Sequence, residues 1–422
     1  MENVIEILKE RCLLDDVTSQ DVHDIVESPV TVYAGFDPSS DSLQAGNLAP
    51  VMVLAHFQRC GHKVIAVVGG GTGMIGDPSG KTSERKLLSL EEVERNVAGI
   101  RKDLSKFLDF DHPTAPATIL NNSDWLREFA LVDFLREIGR YCRMGVMLGK
   151  ESVRARLNSE TGMSFAEFSY QLLQAYDFLK LYDSKGCVLQ IGGSDQWGNI
   201  TAGIDLIRRL RVVETYGVTT PLVCDSTGQK FGKSEENAVY LDHIKTSYYD
   251  FYQFFVRTAD TDVARFLKIF TFLPLDEISE LEQQAQEVPE ERVAQKKLAE
   301  EITRVVHGEH GLKIALRASS ILFGETVNGL HATELLEIFA NVPSTELPRN
   351  KVEKRLVVDV ASEAGLCKSK GEARRLIESG GLYINNRRVC GIGAEVASSD
   401  IVDSRVLVLR SGKKTFHLVK IG

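Results

Sequence analysis

Three short apolar runs that each end in glycine constrain the fold of this chain most. They are Val30 to Gly35, Val64-Ile65-Ala66-Val67-Val68 leading into Gly69-Gly70-Gly71, and Cys187-Val188-Leu189-Gln190-Ile191 leading into Gly192-Gly193. Runs of this length, rich in β-branched residues and stopped by glycine, read as strands buried on both faces. Helical periodicity fills the intervals, as from Val51 to Cys60 and from Leu126 to Arg140. Buried strands alternating with amphipathic helices predict an α/β fold, a Rossmann-like parallel sheet with its ligand at the C-terminal strand ends.

The pattern changes after Tyr240. Val293, Leu298, Ile302 and Val305 recur at helical spacing, and β patterning stops. The expected organisation is a Rossmann-like α/β domain over 1–225, a connection over 226–245 and a helical domain over 246–335. A linker over 336–352, holding Pro343 and Pro348, would lead to a small α/β domain over 353–422. There, Ser369-Lys370-Gly371-Glu372 has the capping-box spacing that opens a helix. Leu382-Tyr383-Ile384, Asn385-Asn386 and Arg387-Arg388-Val389 read as strand, tight turn and strand.

The net charge of −9 argues against indiscriminate nucleic-acid binding by the whole surface. The excess is unevenly placed, however. From Lys351 onward there are 14 Lys and Arg against 8 Asp and Glu, so a basic end meets an acidic body. Such a split suggests that one module binds a polyanion, although a solvated charged face is the plainer alternative. Seven scattered cysteines without a Cys-x-x-Cys pair fit free thiols in a reducing cytoplasm, with no zinc site expected. No run of 18 apolar residues and no targeting pattern is present, so a cytoplasmic protein without a membrane span is expected.

One glycine cluster admits three phosphate-loop readings. Gly71-Thr72-Gly73-Met74-Ile75-Gly76 fits the G-x-G-x-x-G of a dinucleotide oxidoreductase. Asp77-Pro78-Ser79-Gly80 then interrupts the helix that should follow, and an aspartate there would repel a pyrophosphate. Gly80-Lys81-Thr82 resembles the end of a P-loop, but Gly76 to Gly80 leaves three intervening residues where four are needed.

The third reading takes the cluster with its neighbours. Tyr33-Ala34-Gly35-Phe36-Asp37-Pro38 comes first, then Gln44-Ala45-Gly46-Asn47, then Gly70 to Lys81. Asn121-Asn122-Ser123-Asp124-Trp125, Gly192 to Asn199 and Lys230-Phe231-Gly232-Lys233-Ser234 follow. In that order, nearly end to end, these blocks resemble bacterial tyrosyl-tRNA synthetases, class I enzymes whose C-terminal module is S4-like.

The resemblance implies a tyrosine–tRNA ligase with L-tyrosine, ATP and tRNA(Tyr) as partners, magnesium accompanying ATP, and a homodimer. It implies that Tyr33 and Asp177 bond the substrate phenol, while Tyr170, Gln174 and Asp77 hold its ammonium group. Tyr170, Gln174 and Asp177 would share one helix face, which without the resemblance reads as a solvated polar stripe. Gln190 and Gln196 would complete that pocket. Gly35, Asp37, Asn47, Gly193, Asp195 and Lys233 would meet ATP. Lys230 and Lys233 would reach its phosphates from one side, Lys81 and Arg85 from the other. Lys368, Lys370, Arg374, Arg375, Arg387 and Arg388 would contact tRNA. Arg208, Arg209 and Arg211 either guide the acceptor end or form a solvated helix face.

The chain departs from the family at one place. The first class I signature carries two histidines, and here Gln44 and Asn47 stand instead. If the histidines only donate hydrogen bonds, amides can replace them. If they transfer protons, the chain would be a weakened paralogue that binds RNA without charging it.

Overall fold

The computed structural model describes residues 2–79, 88–158, 162–232, 238–327, 329–339, 342–412 and 415–422. Cα proximity divides the chain into two units. One comprises 1–245 with 254–306, the other 246–253 with 307–422.

The first unit is built on a six-stranded sheet: β1 (Asp16–Val17), β2 (Thr31–Phe36), β3 (Lys63–Val68), β4 (Thr118–Asn121), β5 (Cys187–Gly193) and β6 (Tyr216–Thr220). Their spatial order is β1-β6-β5-β2-β3-β4, parallel except for the antiparallel β1–β6 edge. The three expected strands are the three central ones. From β2 the chain steps outward through β3 and β4, then restarts on the other side with β5 and β6. That reversal leaves a crevice between the C-terminal ends of β2 and β5, where ligands of such sheets sit. Tyr33 and Gln190 face each other across this junction, as Cα partners in the β2–β5 ladder.

The helix Phe165–Lys185 packs against this sheet through Phe178, Leu179 and Leu181, joining a core that includes Tyr33, Ile65 and Val67. Ser164 caps its start by accepting the Glu167 N–H, and Gly186 in the left-handed conformation (φ 63°) ends it. The expected helix from Leu126 to Arg140 is instead broken into Ser123–Leu126, Leu131–Glu137 and a 3-10 turn, Gly139–Tyr141. Extended Ala130 (ψ 136°) interrupts it. Much of its apolar periodicity faces solvent: Leu131 and Val132 are 72% and 73% exposed.

The second unit carries a five-stranded sheet of order β7-β11-β10-β8-β9. Its strands are β7 (Ser344–Leu347), β8 (Leu382–Ile384), β9 (Arg387–Arg388), β10 (Val406–Ser411) and β11 (Thr415–Ile421). The segment read as linker therefore contains an edge strand, parallel to β11. Pro343 and Pro348 flank that strand, so neither removes an N–H from within it. Ser369 caps Lys370–Glu378 as expected, and Asn385 and Asn386 turn β8 into β9 with φ of 50° and 62°.

Candidate active site

The crevice is a cleft of about 610 Å³, within the range of small-molecule sites. Its floor is the end of β2. The Tyr33 ring is buried against Phe178, and its hydroxyl has no hydrogen-bond partner among the described residues. Burial, then the charge of Asp177, holds that phenol well above its ordinary pKa, so it is a neutral donor seeking an acceptor.

Asp177 lies on the same floor, fully buried. Trp125 Nε1 donates to one carboxylate oxygen at 2.7 Å, and Asn122 Nδ2 donates to the other at 2.9 Å. Burial pushes its carboxyl up to about 7, and the two donated hydrogen bonds pull the other way. Asn122 also donates to the Thr72 hydroxyl at 2.9 Å and accepts the Gly71 N–H at 2.8 Å. These donors are what the sequence reading missed. The block Asn121 to Trp125 signalled their importance, but not which carboxylate they serve.

Higher in the cleft, the Tyr170 hydroxyl donates to Asp37 at 2.9 Å, and Thr72 donates to the other Asp37 oxygen at 3.0 Å. A hydroxyl that gives its proton to a carboxylate turns its lone pairs outward, as an ammonium requires. Asp77 accepts from Gln196 at 2.6 Å. Asn199, another residue not foreseen, donates to the side-chain oxygens of Gln174 and Gln196, each at 3.1 Å. Tyr170 is raised well above its ordinary pKa by burial first, and then by Asp37 and Asp77. The anionic surroundings suit a cationic group.

Gly35, Gln44, Asn47, Gly193, Asp195 and Lys230 line the outer part of the same cleft. A Cβ on Gly35 would meet nothing within 4 Å, so this strand end opens into free space. Asn47 Oδ1 accepts the Gln44 backbone N–H at 3.0 Å, so the Asn47 side chain braces this turn. Burial and Asp77 raise the Asp195 carboxyl, and Lys230 lowers it. Gln190 is buried, and its Oε1 has no hydrogen-bond partner among the described residues. It does not line the cleft. Lys81, Arg85 and Lys233 lie outside the described residues.

The dinucleotide reading fails on geometry. After β3 there is a single 3-10 turn, Thr72–Met74, and the next described helix is Leu90–Leu104. The Gly70 and Gly71 N–H groups are given to Asn121 and Asn122. A Cβ on Gly71 would stand 2.9 Å from Leu126, so this glycine serves close packing.

The six basic residues of the C-terminal sheet and helix are all exposed. Lys370 pairs with Asp359 at 2.8 Å, and Arg387 pairs with Asp400. On the helix Trp197–Arg211, Arg208 and Arg209 pair with Asp205, and Arg211 pairs with Asp183. That arrangement favours a solvated ion-paired face over an acceptor-stem guide.

Comparison with known proteins agrees with this geometry. Residues 26–324 match the family described as tRNA synthetases class I (W and Y), and 334–419 match the tyrosine–tRNA ligase SYY-like C-terminal domain. The tyrosine–tRNA ligase of Roseiflexus castenholzii is 49% identical, covering 100% of both chains. That of Protochlamydia amoebophila is 48% identical, over 100% of this chain and 99% of its own. Among solved structures, a C-terminally truncated mitochondrial tyrosyl-tRNA synthetase of Aspergillus nidulans superposes with a TM-score of 0.68 at 34% identity. It covers 76% of this chain and 95% of its own.

Proposed function

The chain belongs to the class I tyrosine–tRNA ligases, and from that premise we propose how its residues divide the reaction. The chemistry is attack of the tyrosine carboxylate on the α-phosphorus of ATP, with release of pyrophosphate. Transfer of tyrosine from AMP to the 3′-terminal adenosine of tRNA(Tyr) follows. One observation carries the assignment of tyrosine to this cleft. A buried phenol donor and a buried carboxylate, Tyr33 and Asp177, face a cavity whose upper part is anionic. A phenol entering there accepts from Tyr33 and donates to Asp177, while its ammonium meets Tyr170, Gln174 and Asp77. Phenylalanine would leave the buried Tyr33 hydroxyl without an acceptor and would offer no donor to Asp177.

In this reading Lys230, Gln44 and Asn47, together with Lys81, Arg85 and Lys233, stabilise charge on the phosphates without forming a covalent intermediate. Asn47 with Gly35, Asp37, Gly193 and Asp195 would hold the rest of the nucleotide. Magnesium would accompany ATP and share the charge of its phosphates. Gln44 and Asn47 both line the cleft, and the Asn47 amide uses its oxygen in the turn, which leaves its N–H groups for donation; this supports an active ligase over an idle RNA-binding paralogue.

The domain assignment follows the same premise: catalysis over 1–225, the signature connection over 226–245, a helical anticodon-side domain over 246–335, the connecting segment 336–352 and an S4-like RNA-binding domain over 353–422. A homodimer is proposed on the exposed apolar surface of Leu131, Val132, Leu135, Met144 and Val146. Leu126, Phe129 and Phe134 pack instead on the core, and Met147 is buried. No described helix is long and apolar enough to cross a membrane. Seven free cysteines suit a cytoplasmic setting.

Charging of tRNA(Tyr) with labelled tyrosine tests the function. Charging by the purified chain is expected with tyrosine and not with phenylalanine. Substituting Arg374 and Arg375 by Ala should weaken tRNA binding and reduce its salt slope by roughly one to two. An unchanged slope would remove tRNA from that face.

A further inference from the structure

The two ATP-side loops are joined in a way that their separate roles do not require. Val239 N–H donates to the Gly232 carbonyl at 3.0 Å, Ala45 N–H to Val239 at 2.8 Å, and Leu241 N–H to Leu43 at 2.9 Å. Gln44 and Tyr240 form an isolated antiparallel bridge. The turn of Gln44 to Asn47 is thereby stitched to the segment Val239 to Leu241, which is itself bonded to Gly232.

The contact is closest between two glycines. A Cβ on Gly46 would stand 2.8 Å from the Phe231 carbonyl oxygen. One on Gly232, whose φ is 96°, would collide with the Gly46 backbone nitrogen. Neither position has room for a side chain while the backbones lie this close.

The residue that anchors Gly232 there is Phe231. Its side chain packs into a box of four aromatic rings, stacked on Phe270 at 4.7 Å between centroids. Phe266 lies at 4.8 Å, Phe254 at 5.2 Å and Phe255 at 5.9 Å. Phe231 is 8% exposed, although its neighbour Lys230 is exposed at the cleft. Its N–H also donates to Val223 at 2.9 Å.

We propose that Phe231 is a positioning residue for adenylate formation. It pins the Phe231–Gly232 backbone against Gly46, so that Lys230 and the Gln44–Asn47 turn approach ATP as one unit. The proposal rests on the reading of this cleft as the site of tyrosine activation. It places the Phe231 ring outside tyrosine binding, because its aromatic partners Phe254, Phe255, Phe266 and Phe270 do not line the cleft that holds Tyr33 and Asp177.

The test is tyrosine-dependent ATP–pyrophosphate exchange by the full chain, wild type against Phe231→Ala and Phe231→Leu, with tyrosine binding measured separately. Phe231→Ala should lower kcat/KM for ATP by about 10- to 100-fold, since small misplacements of catalytic groups cost that much. The tyrosine dissociation constant should stay within about twofold, a split that general loosening of the core would not give. Phe231→Leu, which fills most of the box, should recover most of the loss.

Combined with Gln44→Ala, either Phe231 variant should cost less than the product of the single effects, as expected for groups acting together. If Phe231→Ala fails to fold, the same cycle with Phe231→Val, which leaves part of the box empty and should lower ATP use measurably, decides the matter. Unchanged ATP use, equal losses for tyrosine and ATP, or fully multiplicative effects would each overturn the proposal. A folded wild type with no exchange would overturn the activation reading beneath it.

Discussion

Asp177→Asn should lower kcat/KM for tyrosine by about 10²- to 10³-fold, the largest functional loss expected of any single conservative change in this protein. The carboxylate receives Trp125 on one oxygen and Asn122 on the other. An amide offers one acceptor, so a buried donor loses its partner and an N–H is turned towards another donor. The charge-assisted bond to the substrate phenol is lost as well. Each effect amounts to about 1–3 kcal/mol, together about 3–4 kcal/mol of transition-state stabilisation.

The same substitution should move stability the other way as pH rises. Burial lifts the Asp177 carboxyl from its ordinary 3.8 to about 7 in the folded chain. The unfolded chain therefore ionises first, and the folded state holds a proton that the unfolded state lacks between these values. Stability from this group is present below pH 3.8 and lost as pH rises to about 7. The loss is on the order of 4 kcal/mol. Thermal melts at pH 5 and pH 8 should show wild type losing ground to Asp177→Asn across that interval. Tyrosine binding to wild type should strengthen over the same range, because the ionised carboxylate is the acceptor. A pH-independent difference between the two proteins would contradict this account of Asp177.

The largest stability effect is expected at Arg156. Its guanidinium grips the Glu167 carboxylate with two bonds of 2.8 Å, and both side chains are almost wholly buried. Glu167 lies in the first turn of the helix that carries Tyr170, Gln174 and Asp177. Arg156→Met leaves that carboxylate buried and uncompensated, and should cost about 3–5 kcal/mol in denaturant unfolding. Adding Glu167→Leu should restore most of the loss, since the pair's attraction chiefly offsets its own desolvation. A double variant as unstable as the single one would assign the effect to lost packing instead.

The parts of this architecture that sequence reveals are those fixed by local physics. The central strands β2, β3 and β5 are apolar runs closed by glycine, and each was legible. The helix bearing Asp177 has a serine cap and a glycine stop, and Ser369 and the Asn385-Asn386 turn are equally local. β4 was not legible, because Thr118–Asn121 is short, half-buried and at the sheet edge. The break at Ala130 was hidden by apolar residues that keep helical spacing while facing outward. In the site, Tyr33, Asp177 and Tyr170 could be named from motif blocks. Their hydrogen-bond partners could not, since Trp125 and Asn122 lie over 50 residues from Asp177 in the chain and meet it only through the fold.

The central claim is that this cleft activates tyrosine with Gln44 and Asn47 in place of the signature histidines. Its most direct test is ATP–pyrophosphate exchange by the purified full chain, with and without tyrosine. The account predicts exchange that requires tyrosine and is not supported by phenylalanine. Folded protein that binds tyrosine yet shows no exchange would contradict it.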